Sequence, residues 1–107
     1  MDQINEIENT FIEEYCSAKL LINNSMKKSA LILLAKALFA LTDYLILKKY
    51  GKLPKNHSER FRILEEKEKE IYKNIDEVWD KYTDSYSKPS SEESINMLKN
   101  AIKEVVM

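Results

Sequence analysis

Residues 30–47, ALILLAKALFALTDYLIL, decide the fold of this chain of 107 residues. Apolar side chains here surround the axis of a predicted helix from about Ser25 to Tyr50, as in a buried central helix or a membrane span. Ten strongly apolar residues favour insertion by about 0.3–0.6 kcal/mol each, whereas Lys36 and Asp43 cost about 2.5–3.5 kcal/mol each near the centre of a bilayer. Since these contributions roughly cancel, we expect the central helix of a bundle that does not enter a membrane.

Short polar segments mark the ends of the helices in the first half of the chain. Asp2 is the predicted N-cap of a first helix that runs to about Asn23, and either Asn24 or Ser25 is the predicted cap of the central helix. Gly51 stands where a left-handed residue commonly ends a helix.

The second half of the chain contains two more predicted helices. Asn56 followed by Glu59 resembles a capping box, with Ser58 as the rival cap, and we expect the helix that it opens to continue to about Tyr82 or Thr83. Ser90 with Glu93 is a second capping box, which opens the last helix. Because one glycine and two prolines leave few chain breakers, we predict a single all-α domain, an antiparallel up-and-down four-helix bundle with the possibility of a short fifth helix.

The composition limits the classes of function. Seventeen basic and eighteen acidic side chains give a net charge of −1, which argues against general binding to DNA. The single Cys16 excludes an internal disulfide, suits a reducing compartment and is expected to be a small buried hydrophobe. One histidine and one cysteine do not make a structural zinc site, so we expect no metal, no cofactor and a cytoplasmic location.

Four polar residues recur every seven positions along the otherwise apolar central helix: Ser29, Lys36, Asp43 and Tyr50. Seven residues are close to two turns, so these side chains follow one line along the helix. Polar groups on a buried helix need partners. We therefore predict that Lys36, Asp43 and Tyr50 pair inside the bundle or at an interface between subunits, or lie exposed at an edge, with a bound polar ligand as the alternative.

His57, the only histidine, stands at the start of the predicted third helix. The helix dipole disfavours its positive form there, so we expect a neutral imidazole. A neutral imidazole is able to act as a base, but no cysteine or aspartate lies near it in the sequence, and a capping or packing role is the alternative. The run EEKEKE at 65–70 predicts a solvated helix face with ion pairs.

The segment WDKYTDSY at 79–86 combines one cation with two phenols where the third predicted helix ends. Lys81, Tyr82 and Tyr86, with Lys88 just beyond, are all donors suited to phosphate oxygens. We regard these residues, together with His57, as the candidate ligand-binding set, and the sequence identifies no catalytic residue. The alternative is an ordinary polar helix end with half-buried tyrosines.

Three segments in this order, ALTDYLILKKYG at 40–51, LPKNHSERF at 53–61 and VWDKYTDSYSKPSSEESINMLKNAIKEV at 78–105, resemble the HEPN superfamily of small all-α domains. The resemblance covers residues 10–106. It implies a four- or five-helix bundle that is commonly a homodimer with a cleft between protomers. Active members are metal-independent ribonucleases whose motif is an Arg, four to six intervening residues and a His.

On this chain Lys81 stands at the motif's Arg position and Tyr86 at its His position. Lys keeps the cation without the bidentate fork, and a phenol with a pKa near 10 is a poor base at neutral pH. The resemblance therefore implies a nucleotide- or RNA-binding module, dimeric through the second and third helices and without ribonuclease activity. The alternatives are a ribonuclease toxin paired with a nucleotidyltransferase-like antitoxin and a helical scaffold for a protein partner such as that nucleotidyltransferase.

The ribonuclease alternative makes a geometric demand on His57. If the third helix runs unbroken, about 1.5 Å of rise per residue places His57 roughly 35–40 Å from Tyr86 in the same chain. We therefore expect His57 to reach Lys81 and Tyr86 only across a subunit boundary.

Overall fold

The computed structural model describes residues 2–84 and 92–106, and within them the chain forms five α-helices and no strand. The all-α fold predicted from the sequence is therefore confirmed. The helices, in chain order, are α1 (Gln3–Asn23), α2 (Lys27–Tyr50), α3 (His57–Lys67), α4 (Lys69–Asp84) and α5 (Glu92–Val106).

The long apolar helix α2 is the centre of the bundle. It contacts α1, α4 and α5, and side chains such as Leu31, Leu34 and Leu38 are almost completely buried against them. Lys27–Tyr50 is also the one helix in the described part of the chain that is long and apolar enough to cross a membrane, but 61% of its most apolar window is buried by the other helices. Its all-round hydrophobicity is thus explained by neighbours on several sides.

Several of the predicted helix ends are confirmed. The Asp2 carboxylate accepts the backbone N–H of Ile4 at 3.2 Å, and the Asn56 side chain accepts that of Glu59 at 2.9 Å. Gly51 ends α2 in the left-handed conformation, with φ of 80°.

The start of α2 differs from the prediction. Neither Asn24 nor Ser25 caps this helix; its N-cap is Met26, which makes no side-chain capping bond. Ser25 instead has a φ of 61°, so it reverses the chain, and the helix begins two residues later than expected.

The predicted third helix is in fact two helices. Glu68, with φ of −138° and ψ of 68°, separates α3 from α4. Its carboxylate accepts hydrogen bonds from the Tyr50 hydroxyl at 2.6 Å and from the Lys49 ammonium at 3.1 Å, both at the end of α2. The charged run 65–70, expected to be a solvated helix face, therefore contains a hinge that is fastened to the central helix.

The hinge sets the directions of the two helices around it. Three contacts join α2 to α3 and the hinge, and residue numbers increase in the same order on both sides: Phe39 with His57, Asp43 with Arg60, and Tyr50 with Glu68. Hence α3 runs in the same direction as the second half of α2, and α4 folds back antiparallel to both. The short fifth helix allowed for in the prediction is α3.

Cys16 does not occupy the buried position that we expected. It lies exposed on α1, since the residue of α1 that packs most deeply against the core is Ala18. The two positions are 200° apart around a helix, so a buried Ala18 turns Cys16 outward.

Candidate functional site

His57 begins α3 and lies against two aromatic rings. Its ring centroid is 5.1 Å from that of Phe39 on α2 and 4.7 Å from that of Trp79 on α4, in edge-to-face orientations. The residue is nevertheless exposed. The imidazole is therefore packed by the aromatic rings while still open to solvent.

Arg60, one turn further along α3, anchors this arrangement. It is only 8% exposed, and its Nε and Nη2 donate to the two carboxylate oxygens of Asp43 at 2.6 and 2.8 Å. Its guanidinium carbon also lies 5.2 Å from the centroid of the Phe39 ring. The bidentate pair and the aromatic ring together fix the guanidinium on α2.

The third contact of Arg60 determines the protonation state of His57. Nη1 of Arg60 forms a hydrogen bond with Nδ1 of His57. Because a guanidinium nitrogen only donates, Nδ1 accepts, and the proton of the neutral imidazole resides on Nε2. Packing against Phe39 and Trp79 removes part of the hydration of the otherwise exposed His57 ring, and this partial burial lowers the pKa of His57. The Arg60 charge lowers this pKa further, while the Asp43 charge opposes the shift. The neutral imidazole expected from the sequence is thus explained mainly by burial and Arg60.

The aromatic wall beside His57 has four rings from three helices. Phe39 lies 5.8 Å from Trp79 and 5.6 Å from Tyr82, and Trp79 lies 5.4 Å from Phe61 and 5.6 Å from Tyr82, all measured between centroids. Trp79 and Tyr82 are only half-buried. We call the following residues the His57 site: Phe39, Asp43, His57, Arg60, Phe61, Trp79 and Tyr82.

This geometry corrects the separation that we inferred for His57. Since α4 folds back at Glu68, His57 at the start of α3 meets Trp79 near the end of α4 within one chain. The unbroken third helix on which that separation rested is wrong, while Tyr86 itself lies outside the described residues. No second subunit is needed to bring His57 to the end of α4 that carries Lys81.

The other candidate residues fall in different places. Lys81 belongs to α4, between two residues of the His57 site, while Tyr86 and Lys88 lie outside the described residues. Lys36 is exposed. Asp43 and Tyr50 have partners within the chain, Arg60 and Glu68 respectively, which is the pairing inside the bundle that was one of the alternatives predicted for this polar line. Their role at an interface stays a prediction.

Sequence reasoning missed Arg60, Phe39 and Trp79 as members of this site. One signal was available: Arg60 is three residues after His57, so both lie on one side of α3. The hydrogen-bond partner of Arg60, Asp43, stands out in the sequence as a polar residue on a buried helix, but sequence spacing alone does not connect it with α3.

A groove of about 640 Å³ lies elsewhere, between α4 and α5. Its lining includes the carboxylates of Glu77, Glu92, Glu93 and Glu104, which disfavour a phosphate or another anion. The groove is therefore less suited to a nucleotide than the His57 site.

Within residues 2–84 and 92–106 no group of three or more metal-ligating side chains occurs.

Comparison with known protein families, with curated proteins and with solved structures finds no match to this chain.

Proposed function

We propose that this HEPN-like domain is a binding module for single-stranded RNA that does not cleave it. The observation that carries the proposal is the His57 imidazole, held by Arg60 in its Nε2–H form beside half-exposed aromatic rings. Such a site offers one fixed hydrogen-bond donor and a stacking surface. Both are features with which proteins recognise unpaired bases.

Stacking supplies the affinity in this proposal. Trp79 and Tyr82 expose part of their rings, and stacking of a base on an aromatic side chain contributes about 1–3 kcal/mol. Because the net charge is −1, attraction to phosphates has to be local, and Lys81 is the cation nearest in sequence to both rings. Arg60 is not available for phosphate, since its guanidinium is engaged by Asp43 and His57.

The protonation state of His57 argues against cleavage. A general base needs a free lone pair, but Nδ1 accepts from Arg60 and Nε2 carries the proton. The imidazole is therefore a donor in its resting form. At the positions that resemble the ribonuclease motif, Lys81 and Tyr86 replace the Arg and His of active members, which supports the same conclusion.

The test uses Trp79, the only tryptophan, as a built-in reporter. Titration with a short single-stranded RNA should quench Trp79 fluorescence and raise the anisotropy of a fluorescein label on the RNA. His57→Phe keeps an aromatic ring but removes the donor, whereas His57→Gln keeps an N–H group near the Nε2 position. We expect His57→Phe to weaken binding about five-fold or more, and His57→Gln to weaken it less.

Lys81 has a matched control on the same helix. Lys73→Ala removes an equal charge from an exposed position of α4, so the general loss of positive charge is the same in both variants. Lys81→Ala should weaken binding and flatten its salt dependence, while Lys73→Ala should leave both nearly unchanged. Equal effects of the two substitutions, or no binding by the unaltered protein, would contradict the proposal.

One observation favours the ribonuclease as a second candidate. His57 lies against Trp79, two residues before Lys81, within a single chain, so the approach of His57 to this end of α4 needs no second subunit. Incubation of labelled RNA with the protein in a metal chelator distinguishes the two functions. Cleavage that disappears in both His57→Gln and Tyr86→Phe would show that the protein is a ribonuclease and not only a binding module. That conclusion would hold whether or not a nucleotidyltransferase-like antitoxin is found.

A further inference from the structure

Helix α1 has an exposed outer face that the proposed RNA site does not use. The helix packs on α2 through its inner side, where Ala18 is completely buried. On the opposite side Ile12 is 48% and Leu20 is 64% exposed, and Cys16 lies between them, exposed as well. We define the outer face of α1 as the exposed residues within about 60° of Cys16 around the helix: Asn5, Asn9, Ile12, Glu13, Cys16, Lys19, Leu20 and Asn23.

Apart from Asn5, the residues of this outer face form three pairs placed symmetrically about Cys16. Ile12 and Leu20 are equally far from Cys16 along the helix, in opposite directions, and both are large and aliphatic. Asn9 and Asn23 are likewise equidistant from it and carry the same amide. The remaining equidistant pair, Glu13 and Lys19, has opposite charges.

We propose that two copies of this chain associate through the outer face of α1, antiparallel, with the two-fold axis at Cys16. In an isologous helix pair of this kind each residue meets its equidistant counterpart on the other copy. Ile12 then packs on Leu20 of the second copy, and Glu13 pairs with Lys19 of the second copy. Each of these contacts occurs twice, so one small face supplies two aliphatic contacts and two ion pairs.

The same residues discriminate against the parallel arrangement. In a parallel pair in register, Glu13 faces Glu13 and Lys19 faces Lys19, which places like charges opposite each other. The antiparallel pair replaces both repulsions by attractions. Charge complementarity, together with the exposed aliphatic residues, therefore specifies a second copy of the chain as the occupant of this face.

The interface is small, so we expect the dimer to be weak. From Asn9 to Asn23 the helix rises by roughly 21 Å, and a single pair of helices of this length buries less than the roughly 1,000 Å² typical of stable complexes. The dimer is accordingly weak and depends on concentration. It forms on a different helix from the His57 site, so loss of the dimer and loss of RNA binding are separate results.

Cys16 makes the test direct because it is the only cysteine and stands at the proposed axis. A short bis-maleimide should link two chains through Cys16 with a yield that rises with protein concentration, and Cys16→Ser should give no product. Random collisions between exposed thiols also produce some cross-linked product, so the yield of one protein alone does not identify the interface. The decisive comparison is between variants of the charge pair Glu13 and Lys19.

Four proteins are compared at equal concentration: the unaltered chain, Glu13→Lys, Lys19→Glu and the double variant. Either single reversal should lower the cross-linking yield several-fold, since two like-charge contacts replace two attractions. The double variant has the original net charge and restores opposite charges across the axis, so its yield should recover. Equal yields in all four proteins, or a double variant as poor as the single ones, would overturn the proposal, as would sedimentation showing only monomer at the highest soluble concentration.

Discussion

Breaking the ion pair between Asp43 and Arg60 should destabilise the protein more than any surface substitution. The Arg60 side chain is 10% exposed and that of Asp43 is 18% exposed, so the guanidinium that remains in Asp43→Leu is left without its carboxylate and with little access to water. Removing one partner of a buried ion pair typically costs about 3–5 kcal/mol. Since Asp43 is close enough to the surface for water to replace part of the lost contact, we expect about 3 kcal/mol.

The companion variant removes both charges. In Asp43→Leu with Arg60→Met, two apolar side chains take the place of the ion pair, and the thioether can still contact the Phe39 ring on which the guanidinium lies. Exchanging a buried ion pair for apolar residues is often close to neutral. The double variant should therefore lie within about 1 kcal/mol of the unaltered protein, more stable than the single variant.

Urea unfolding measures both differences. With a slope of about 1.5 kcal/mol per molar urea, a loss of 3 kcal/mol lowers the midpoint by about 2 M. Trp79 fluorescence follows the His57 site and circular dichroism follows all helices, so coincident transitions check that unfolding is two-state. A cost below about 1 kcal/mol for Asp43→Leu at an unchanged slope, or a double variant no more stable than the single one, would show that this ion pair does not behave as a buried pair.

Three further predictions concern other residues. The pKa of His57 is lowered by burial and by the Arg60 charge, so the unfolded state binds more protons than the folded state as the pH falls through about 6.5. Stability should therefore fall from pH 7.5 to pH 5.5 by more in the unaltered protein than in His57→Gln. An equal fall in the thermal-unfolding midpoints of the two proteins would contradict this. Gly51→Ala should cost about 1 kcal/mol through backbone strain alone, because φ is 80° and nothing lies within 4 Å of the added methyl group; a neutral effect in urea unfolding would show that the turn relaxes. The Tyr50 hydroxyl is the first cause of the lowered pKa of Glu68, ahead of Lys49, so Tyr50→Phe should raise that pKa toward its usual value in an NMR titration, and an unchanged pKa would argue against the hydrogen bond.

The helix ends that could be predicted are those fixed by local chemistry. Asp2 and Asn56 accept backbone N–H groups within three residues of themselves, and Gly51 has the conformation that other residues avoid. These effects act over one turn, and residue types within one turn determine them. The start of α2 was not predictable in this way, since Met26 provides no capping group.

The break at Glu68 could not be predicted from local chemistry. Residues 65–70, EEKEKE, are all good helix formers and include no glycine or proline, so local propensity favours a continuous helix through this point. What stabilises the break is tertiary: Tyr50 and Lys49 bind the Glu68 carboxylate, and folding back lets the apolar face of α4, with Ile75 and Val78, reach the core. A sequence pattern read along one helix does not contain these partners.

The His57 site depends on that hinge and on the polar line of α2 together. Asp43 and Tyr50 are two turns apart on α2 and hold Arg60 near the start of α3 and Glu68 just beyond its end. Two attachment points fix both the position and the direction of a short helix, whereas one would leave it free to pivot. With α3 fixed, the return of α4 brings Trp79 to His57, because the two residues are equally far along the chain from Glu68. The polar residues of an otherwise apolar helix are therefore the reason that this site can form within one chain, and substitutions at Tyr50, distant from His57, should loosen the site as well as the hinge.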